Sequence, residues 1–317
     1  MKRFRKVLVY VNTDNEKHPA LDRAARLTEA TGARLTAVDV VPDLPDLFPE
    51  LDSPPWVLPS EIARYKRDEL LRLVAPFRRR GVAAEVDILY GNPAVELIRE
   101  VRRNGHDLLL KTAEKGGLTN LFGTTAMRLL RNCPCPVMIV KPGRAKRFAR
   151  ILAAVDIAPH DRENRAVSEK VLDLALDVAK FEGSELHVLH AWRVPAKAAL
   201  RRAEIPSDEL REYTTSMRRI VQASFDEFLA RFDLPRKRGR VHLVEGDAGV
   251  VIPDFVKKRR VALLVMGSVA RTGISGLVIG NTAERVVGKS ACSLLTVKPD
   301  GFVSPIQLEE NGAVHVD

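Results

Sequence analysis

One segment of the chain occurs twice. The sequence FGTTAMR at residues 122–128 returns as IGNTAER at residues 279–285, and CPCPVMIVK at 133–141 returns as SACSLLTVK at 290–298. About 157 residues separate the two copies of the first segment. This spacing matches the length of a whole domain and exceeds the period of solenoid repeats. The repeat therefore predicts two tandem domains of related sequence.

Outward from this segment, both halves alternate short apolar runs with amphipathic helical patterns. The apolar runs start at 7–11 in the first half and at 151–155 in the second, and the last ones lie at 137–140 and 294–297. Continuous apolar runs of this length are typical of buried parallel strands. Strand and helix in alternation are typical of a parallel sheet with helices on both faces. The pattern therefore predicts α/β domains.

The domain boundaries follow from the repeat and from the composition of the segments between the copies. We expect a first domain at 1–143, a second domain at 148–300, and a flexible polar tail at 301–317. The joint at 144–150 is short and basic, so the two domains are expected to pack together as a pseudo-dimer within one chain. A further homo-oligomer is compatible with the sequence but is not specified by it.

The bulk composition excludes several classes of protein. The 317 residues are 45% hydrophobic and carry a formal net charge of +10, which suits two globular cores with a basic surface. Aromatic residues make up 5% and do not interleave with the basic runs, so nucleic-acid binding is not expected. No apolar run approaches 18 residues, so no membrane span is expected. Three cysteines indicate no disulfide framework, and we expect a reduced, cytoplasmic protein.

Several side chains remain without a predicted catalytic or metal role. Cys133 and Cys135 are too closely spaced for the usual zinc or redox pairs, so we expect them to be small core residues that enter a strand. His187 and His190 lie on one predicted strand, and we expect one to face the core and the other the rim of the site. The sequence therefore predicts no catalytic residue and no metal site.

The candidate ligand site lies at the carboxyl edge of the second predicted sheet, where open parallel sheets bind ligands. A glycine-containing loop there runs into a helix start, which offers backbone N–H groups and a positive dipole end to a phosphate. A carboxylate at the end of the first strand could accept from a ribose hydroxyl. Such glycines also serve ordinary surface turns, so this alternative stays open. The segments that meet at this edge end at Asp156, Ala191 and Gly267 and continue at Gly280.

The stretch MGSVARTG at 266–273, followed by Gly280, resembles the nucleotide-binding signature of the universal stress protein family. That signature is Gly, two residues, Gly, nine residues, Gly, and then Ser or Thr. The acid at 156 and the ending at 297–298 also match, and the resemblance covers both copies. It implies a five-stranded open α/β sheet in each domain and ATP, with Mg²⁺, as the ligand. The residues that it assigns to cofactor binding are Asp156, Ala191, Met266, Gly267, Ala270, Gly280, Asn281 and Thr282.

Two residues of the second copy depart from this signature. Ala270 stands where the second glycine belongs, and its methyl group would crowd a phosphate or forbid a positive φ. Asn281 replaces the hydroxyl residue and can cap the helix or donate to an anion in a different way. The resemblance therefore favours nucleotide binding without fixing its strength.

The first copy departs further from the signature. Asn12 replaces the acid after the first strand, Lys111 stands where Gly267 does, and Glu114 would repel a phosphate. We therefore expect the first copy to have lost its site and to act as the pseudo-dimer partner of the second. The alternative that Lys111 contacts a ligand stays open.

Three functions are compatible with these observations. The first is a non-catalytic binding module whose C-terminal domain holds ATP or a related nucleotide, and a slow ATPase remains an open variant of it. By resemblance, its role is survival under stress, including DNA damage, in a bacterial cytoplasm. The second is a module that binds an amphiphile in the same pocket, with Ala270 and residues 277–279 at its mouth. The third is an interaction protein without a small-molecule ligand.

Overall fold

The structure is a computed structural model, which describes residues 4–42, 57–114, 122–143, 147–157, 162–232, 234, 240–268 and 280–308. The chain divides into two compact units. The first unit contains the described residues up to 143 together with 293–308. The second unit contains the described residues from 147 to 268 together with 280–292.

Strands and helices alternate through the first unit, as the sequence pattern predicts. The elements are β1 Lys6–Tyr10, α1 Pro19–Thr31, β2 Arg34–Val41, α2 Val57–Arg78, β3 Ala84–Tyr90, α3 Pro93–Asn104, β4 Leu108–Thr112, α4 Gly123–Asn132 and β5 Val137–Val140. These strands are parallel, in the order β3-β2-β1-β4-β5. Strand β10 (Ser293–Val297), from the second repeat, pairs with β5 in the antiparallel direction.

The second unit follows the same course along the chain. Its elements are β6 Arg150–Val155, α5 Arg162–Glu182, β7 Glu185–Trp192, α6 Lys197–Arg202, α7 Ser207–Leu229, β8 Val241–Glu245, α8 Ala248–Arg259, β9 Leu263–Gly267 and α9 Asn281–Lys289. The strands are parallel in the order β8-β7-β6-β9. The short helix α6 was not anticipated from the sequence pattern.

Helix α3 shows how local sequence sets the ends of these elements. The Asn92 side chain accepts hydrogen bonds from the N–H groups of Ala94 and Val95, which satisfies donors of the first turn. Gly105 ends the helix at φ 64°, and its N–H donates to the Val101 carbonyl. Glycine adopts this left-handed conformation without the penalty that a side chain brings. The helix therefore begins and ends where capping residues allow.

The segment after β10 packs against helices α3 and α4 of the same unit. The Lys298 Nζ donates to the carbonyls of Leu130 and Arg131, each at 2.7 Å, and so caps the end of α4. Arg99 of α3 donates to the Gln307 carbonyl at 3.2 Å, and Arg102 donates to the Ile306 carbonyl. Residues 301–308, which the sequence places in a flexible tail, therefore make defined contacts, and residues 309–317 lie outside the described residues.

The two histidines of β7 are both buried, which corrects the prediction that one of them faces the rim. His187 is 3% exposed and His190 is 4% exposed. They point to opposite faces of the sheet: His190 contacts Phe225 of α7, and His187 contacts Phe255 of α8. Both faces of β7 are covered by helices, so neither imidazole reaches an open edge.

The His187–His242 pair predicts a loss of stability in mild acid. Their Nδ1 and Nε2 atoms lie 3.0 Å apart, and burial, then His187, then Arg259 lower the pKa of His242 to about 4. Burial likewise lowers the pKa of His187, against Glu185, which raises it. The unfolded chain, with histidine pKa values near 6.5, therefore binds more protons between about pH 6.5 and 4. The free energy of unfolding should fall as the pH decreases through this window.

This pH dependence can be assigned with His242→Gln, which keeps a hydrogen-bonding side chain but removes the titrating group. Denaturant unfolding from pH 7 to pH 4.5 should give a shallower loss of stability in the variant, with a proton uptake smaller by up to about one per chain. Equal pH profiles of the wild type and the variant would assign the loss to other groups.

Candidate functional site

Strand register brings most of the predicted ligand residues to one edge of the second sheet. Asp156 and Ala191 directly follow paired residues of β6 and β7, and Met266 of β9 pairs with Ala154 of β6. Asp156 and Ala191 are partly exposed, whereas Met266 is buried. The backbone of Asp156 and Ala191 and the end of β9 are therefore neighbours at the carboxyl edge, where the topology favours ligand binding.

The backbone at Asp156 is held by helix α5. The Asp156 N–H donates to the Ser168 Oγ at 2.9 Å, and the Ser168 hydroxyl donates back to the Asp156 carbonyl at 2.8 Å. The His190 Nδ1 lies 3.1 Å from the Val155 carbonyl. These contacts hold the main chain in place at the end of β6.

Helix α9 begins next to the end of β9. The Gly280 N–H donates to the Ser268 carbonyl at 3.2 Å, and Asn281 and Thr282 follow as exposed residues of the first turn. Gly280 is the N-cap, and it has no side chain that could cap the helix. The Ser268 hydroxyl is fully buried and has no hydrogen-bond partner in the described part of the chain. Backbone N–H groups at such a helix start can bind an anion.

Part of the predicted site lies outside the described residues. Ala270, the residue that departs from the glycine signature, falls in the segment 269–279, and so do the apolar residues 277–279. The described residues thus place seven of the eight predicted ligand residues, and they bring together the ends of β6, β7 and β9 and the start of α9.

Gly267 has a packing reason to be glycine that the sequence did not reveal. A Cβ atom at this position would lie 2.8 Å from the Val167 Cγ1 of helix α5, closer than carbon atoms approach in folded proteins. Val167 is β-branched and therefore stiff at χ1. The absence of a side chain at Gly267 lets α5 pack onto the end of β9, whether or not a phosphate is bound.

Gly267→Ala should therefore destabilise the second repeat by about 1–3 kcal/mol through overpacking. The double variant Gly267→Ala/Val167→Ala should recover part of this loss because it removes the methyl groups that clash. Gly288→Ala is the control, since a Cβ there meets nothing within 4 Å and alanine favours the helix. Urea unfolding of the three variants measures the differences. A single variant as stable as Gly288→Ala would contradict this packing.

The strand pairing changes which residue of the second repeat corresponds to Lys111 of the first. Lys111 pairs with Tyr10 in β1, and Met266 pairs with Ala154 in β6; Tyr10 and Ala154 each lie two residues before the position of the predicted acid. Lys111 therefore corresponds to Met266 rather than to Gly267, and the expected equivalence was wrong by one residue. The error arose because the two loops differ in length.

A carboxylate of the chain itself lies at the start of helix α4 in the first repeat. A Cβ atom built on Gly123, the first residue of α4, would lie 3.0 Å from the Glu114 Oε2. The Lys111 Nζ donates to the Glu114 Oε1 at 2.5 Å and to the Thr112 carbonyl at 3.1 Å. An anion at a helix N-terminus is favourable because of the helix dipole. Glu114 therefore supplies internally the charge that a phosphate would supply.

The electrostatics of this cluster follow from its burial. Burial lowers the pKa of Lys111, and the Glu114 carboxylate partly offsets that effect. Burial and then the carboxylates of Asp39, Glu114 and Asp14 raise the pKa of Tyr10. Lys111 lies with its Nζ 5.3 Å from the centroid of the Tyr10 ring. The Lys111 ammonium group is thus already in contact with groups of the protein itself.

A cavity of about 560 Å³ lies at the carboxyl edge of the first unit, which sequence reasoning missed. At its base, the Lys66 Nζ of α2 donates to the Asp39 Oδ2 at 2.9 Å and to the Thr13 Oγ1 at 3.3 Å. Apolar and aromatic groups line much of the rest. The lining residues are Tyr10, Asn12, Asp14, Asp39, Val40, Pro42, Glu61, Ile62, Tyr65, Lys66 and Pro93.

The sequence matches known proteins along almost its whole length. The model of the Universal stress protein family matches residues 3–141 and again residues 147–298. Universal stress protein E of Escherichia coli strain K12 is 28% identical over 317 aligned residues, which cover 98% of this chain and 99% of that protein. The Universal stress protein E homolog of Haemophilus influenzae is 29% identical, with 94% of this chain and 98% of that protein covered.

Solved structures show the same architecture. A functionally unknown protein from Pseudomonas aeruginosa PAO1 superposes with a TM-score of 0.69 at 26% identity, covering 94% of each chain. A universal stress protein from Archaeoglobus fulgidus gives a TM-score of 0.61 at 19% identity, covering 92% of this chain and 98% of that one. These likenesses and the parallel sheets confirm the predicted fold class of tandem α/β domains.

Proposed function

Because this chain belongs to the universal stress protein family, we propose that it is a non-catalytic binding protein of the stress response whose second repeat holds a nucleotide. ATP or a related adenine nucleotide is the proposed ligand. The proposal extends to protection against stress, including DNA damage, in the cytoplasm, and to packing of the two repeats as a pseudo-dimer. The described site contains no assembled nucleophile and base, which favours binding over turnover.

The difference between the two helix starts carries this proposal. In the first repeat, the Glu114 carboxylate lies against Gly123 at the start of α4 and is paired with Lys111. In the second repeat, the N-cap of α9 is Gly280, which has no side chain to cap the helix, and Asn281 is exposed beside it. Backbone N–H groups at a helix start are suited to bind a phosphate. The Glu114 carboxylate thus lies at the start of α4, whereas Asn281 and Thr282 at the start of α9 are exposed.

The remaining residues suit a nucleotide laid along the sheet edge. Asp156 can accept from a ribose hydroxyl, and the backbone of Ala191 can meet the base, as the resemblance implies. Thr282 and Asn281 can donate to phosphate oxygens. Among the described residues, no group of three acidic, histidine or cysteine side chains could hold a metal ion. Mg²⁺ would therefore be bound through the phosphates and water, which is usual for this ion.

Calorimetric titration of the full chain with ATP and Mg²⁺ tests the proposal. We expect a stoichiometry of one nucleotide per chain. Two sites per chain would show that the first repeat also binds nucleotide. No heat and no retention in equilibrium dialysis at millimolar ATP would refute the nucleotide proposal. GTP under the same conditions is the matched comparison for base selectivity.

The cavity of the first repeat favours a second candidate function, the binding of a small amphiphile. Its walls include Val40, Ile62 and Tyr65, and its base carries the Lys66–Asp39 ion pair. An apolar wall with a few fixed charges is the usual make-up of a small-molecule site. The predicted location of such a ligand was the second repeat, whose apolar residues 277–279 lie outside the described residues. Native mass spectrometry of protein purified from cells would reveal a co-purifying apolar molecule.

A further inference from the structure

Two thiols of the first repeat lie side by side. The Cys133 Sγ and the Cys135 Sγ are 3.5 Å apart. Cys133 is the C-cap of α4, in an extended conformation with φ −73° and ψ 128°, and its N–H donates to the Leu129 carbonyl at 2.9 Å. The backbone bends at residues 134–135, so these two side chains converge. The spacing that excludes the usual zinc pair thus brings two sulfur atoms to within reach of a bond.

The two thiols differ in access and in environment. Cys133 is fully buried, whereas Cys135 is 9% exposed and is the thiol that a small reagent reaches first. The contact with Cys133 and burial raise the pKa of Cys135, so its reaction is expected to be slow at neutral pH. The Lys298 ammonium, which caps α4, interacts electrostatically with Cys133. The positive charge of Lys298 is therefore placed to act on negative charge that develops at the Cys133 sulfur during a reaction.

We propose that Cys133 and Cys135 are a reversible dithiol–disulfide site that is oxidised by small disulfides of the glutathione type. The Cys135 thiolate attacks one sulfur of the small disulfide, and the other half leaves as a thiolate that takes a proton from water. The Cys133 thiolate then attacks the Cys135 sulfur of the mixed disulfide and displaces the second small thiolate. Two protein thiols lose two electrons and two protons, and the small disulfide becomes two thiols.

The bond is expected to be labile rather than structural. A disulfide between residues two apart closes a small ring, and strain of this kind makes a disulfide easier to reduce. Disulfides in reducing compartments are usually transient and regulatory. The site is therefore suited to report an oxidising change and to revert when thiols return.

The second repeat supplies an internal control. Ser290 and Cys292 stand at the positions of Cys133 and Cys135, so the second repeat carries one thiol and cannot form this bond. Ser290 is the C-cap of α9, and its N–H donates to the Val286 carbonyl at 2.9 Å, which matches the place of Cys133 on α4. Any disulfide within one chain that includes Cys292 would have to join the two repeats.

The test equilibrates the full-length chain in glutathione buffers of increasing oxidised fraction, traps thiols by alkylation, and maps the peptides by mass spectrometry. We expect one disulfide per chain, within the peptide that holds Cys133 and Cys135, and its loss on return to reduced buffer. Cys292→Ser should behave as the wild type. Absence of this disulfide in the most oxidising buffer, or its loss in Cys292→Ser, would overturn the proposal. The wild-type measurement tests whether the disulfide forms even if the cysteine variants fold poorly.

Two variants resolve the order of the steps. Cys133→Ser should stop at a stable glutathione adduct on Cys135, because the second thiol is missing. Lys298→Gln keeps a hydrogen-bond donor at the end of α4 but removes the charge, so it should raise the ratio of adduct to disulfide severalfold. If Cys135→Ser formed a glutathione adduct on Cys133, then Cys133 would be able to react first, and the assigned order of the two thiols would be reversed. A merely structural Lys298 would change the stability of the chain and leave this ratio unchanged.

Discussion

Asp39→Ala is expected to lower the free energy of unfolding by about 3–5 kcal/mol, because it leaves a buried ammonium group without its main partner. Asp39 is fully buried, and Lys66, at 5% exposure, donates to its Oδ2 at 2.9 Å. The Asp39 Oδ2 also accepts from the Thr13 hydroxyl at 2.6 Å. After the substitution, Lys66 keeps Asp14 at 3.2 Å, whose side chain is exposed to water. Urea unfolding followed by circular dichroism measures the loss.

Two further variants make this prediction specific to burial. Asp87→Ala removes the carboxylate of the Arg67–Asp87 pair, in which both side chains are about half exposed, and should cost about 0–1 kcal/mol. Asp39→Leu/Lys66→Met replaces the buried pair with apolar groups and should recover most of the stability. If Asp39→Ala proved as mild as Asp87→Ala, water would have to reach Lys66 through the cavity, and the ion pair would not be buried in solution.

The two repeats have different side chains, with different partners, at the same position of the fold. Asp39 is the sixth residue of β2, and His190 is the sixth residue of β7. His190 contacts the Phe225 ring, with centroids 5.8 Å apart, and lies 3.1 Å from a backbone carbonyl. Asp39 instead forms an ion pair with Lys66 of α2. At this position the first repeat has charged groups at the base of a cavity, whereas the second repeat has packed aromatic rings. The first repeat therefore has a polar feature of its own, although it lacks the nucleotide-binding signature.

The sequence pattern predicted the architecture because strand and helix formation is decided locally. Apolar runs such as residues 7–11 are continuous because parallel strands are covered on both faces, and Gly105 ends a helix by its own conformation. These signals lie within a few residues of the element that they specify. The number of strands in each copy followed from them and from the repeat, whereas the pairing of β10 with β5 did not.

The parts that escaped prediction depend on contacts between residues distant in sequence. Lys66 reaches Asp39 across 27 residues, and Lys298 caps the end of α4 across 168 residues. Gly267 is glycine because Val167 packs against it, which no loop signature indicates. Periodicity records which face of an element is apolar, but it does not record which partner covers that face. The cavity and the buried histidines both depend on partners of this distant kind.

Asp156→Ala is expected to weaken ATP binding by about 10–100-fold, if the second repeat holds the nucleotide as proposed. The carboxylate would accept a charge-assisted hydrogen bond, and such bonds contribute about 1.5–3 kcal/mol, which corresponds to this range of affinity. The substitution leaves intact the hydrogen bonds that the Asp156 backbone makes with Ser168. Calorimetric titration with ATP and Mg²⁺ gives the affinity, and thermal unfolding of the apo protein verifies that the variant is folded.

The repeat supplies the matched control for this experiment. Asn12 lies at the corresponding position of the first repeat, two residues after the pairing of β1 with β4, and its Oδ1 accepts from the Asp14 N–H at 3.0 Å. Asn12→Ala should therefore leave the affinity for ATP unchanged within about twofold, since it alters a local turn of the first repeat and no residue of the proposed site. The reverse pattern, with Asn12→Ala weakening ATP binding and Asp156→Ala neutral, would place the nucleotide in the first-repeat cavity. Equal losses in both variants would require a nucleotide in each repeat, and the Glu114 carboxylate at the start of α4 would then have to move aside for the phosphates.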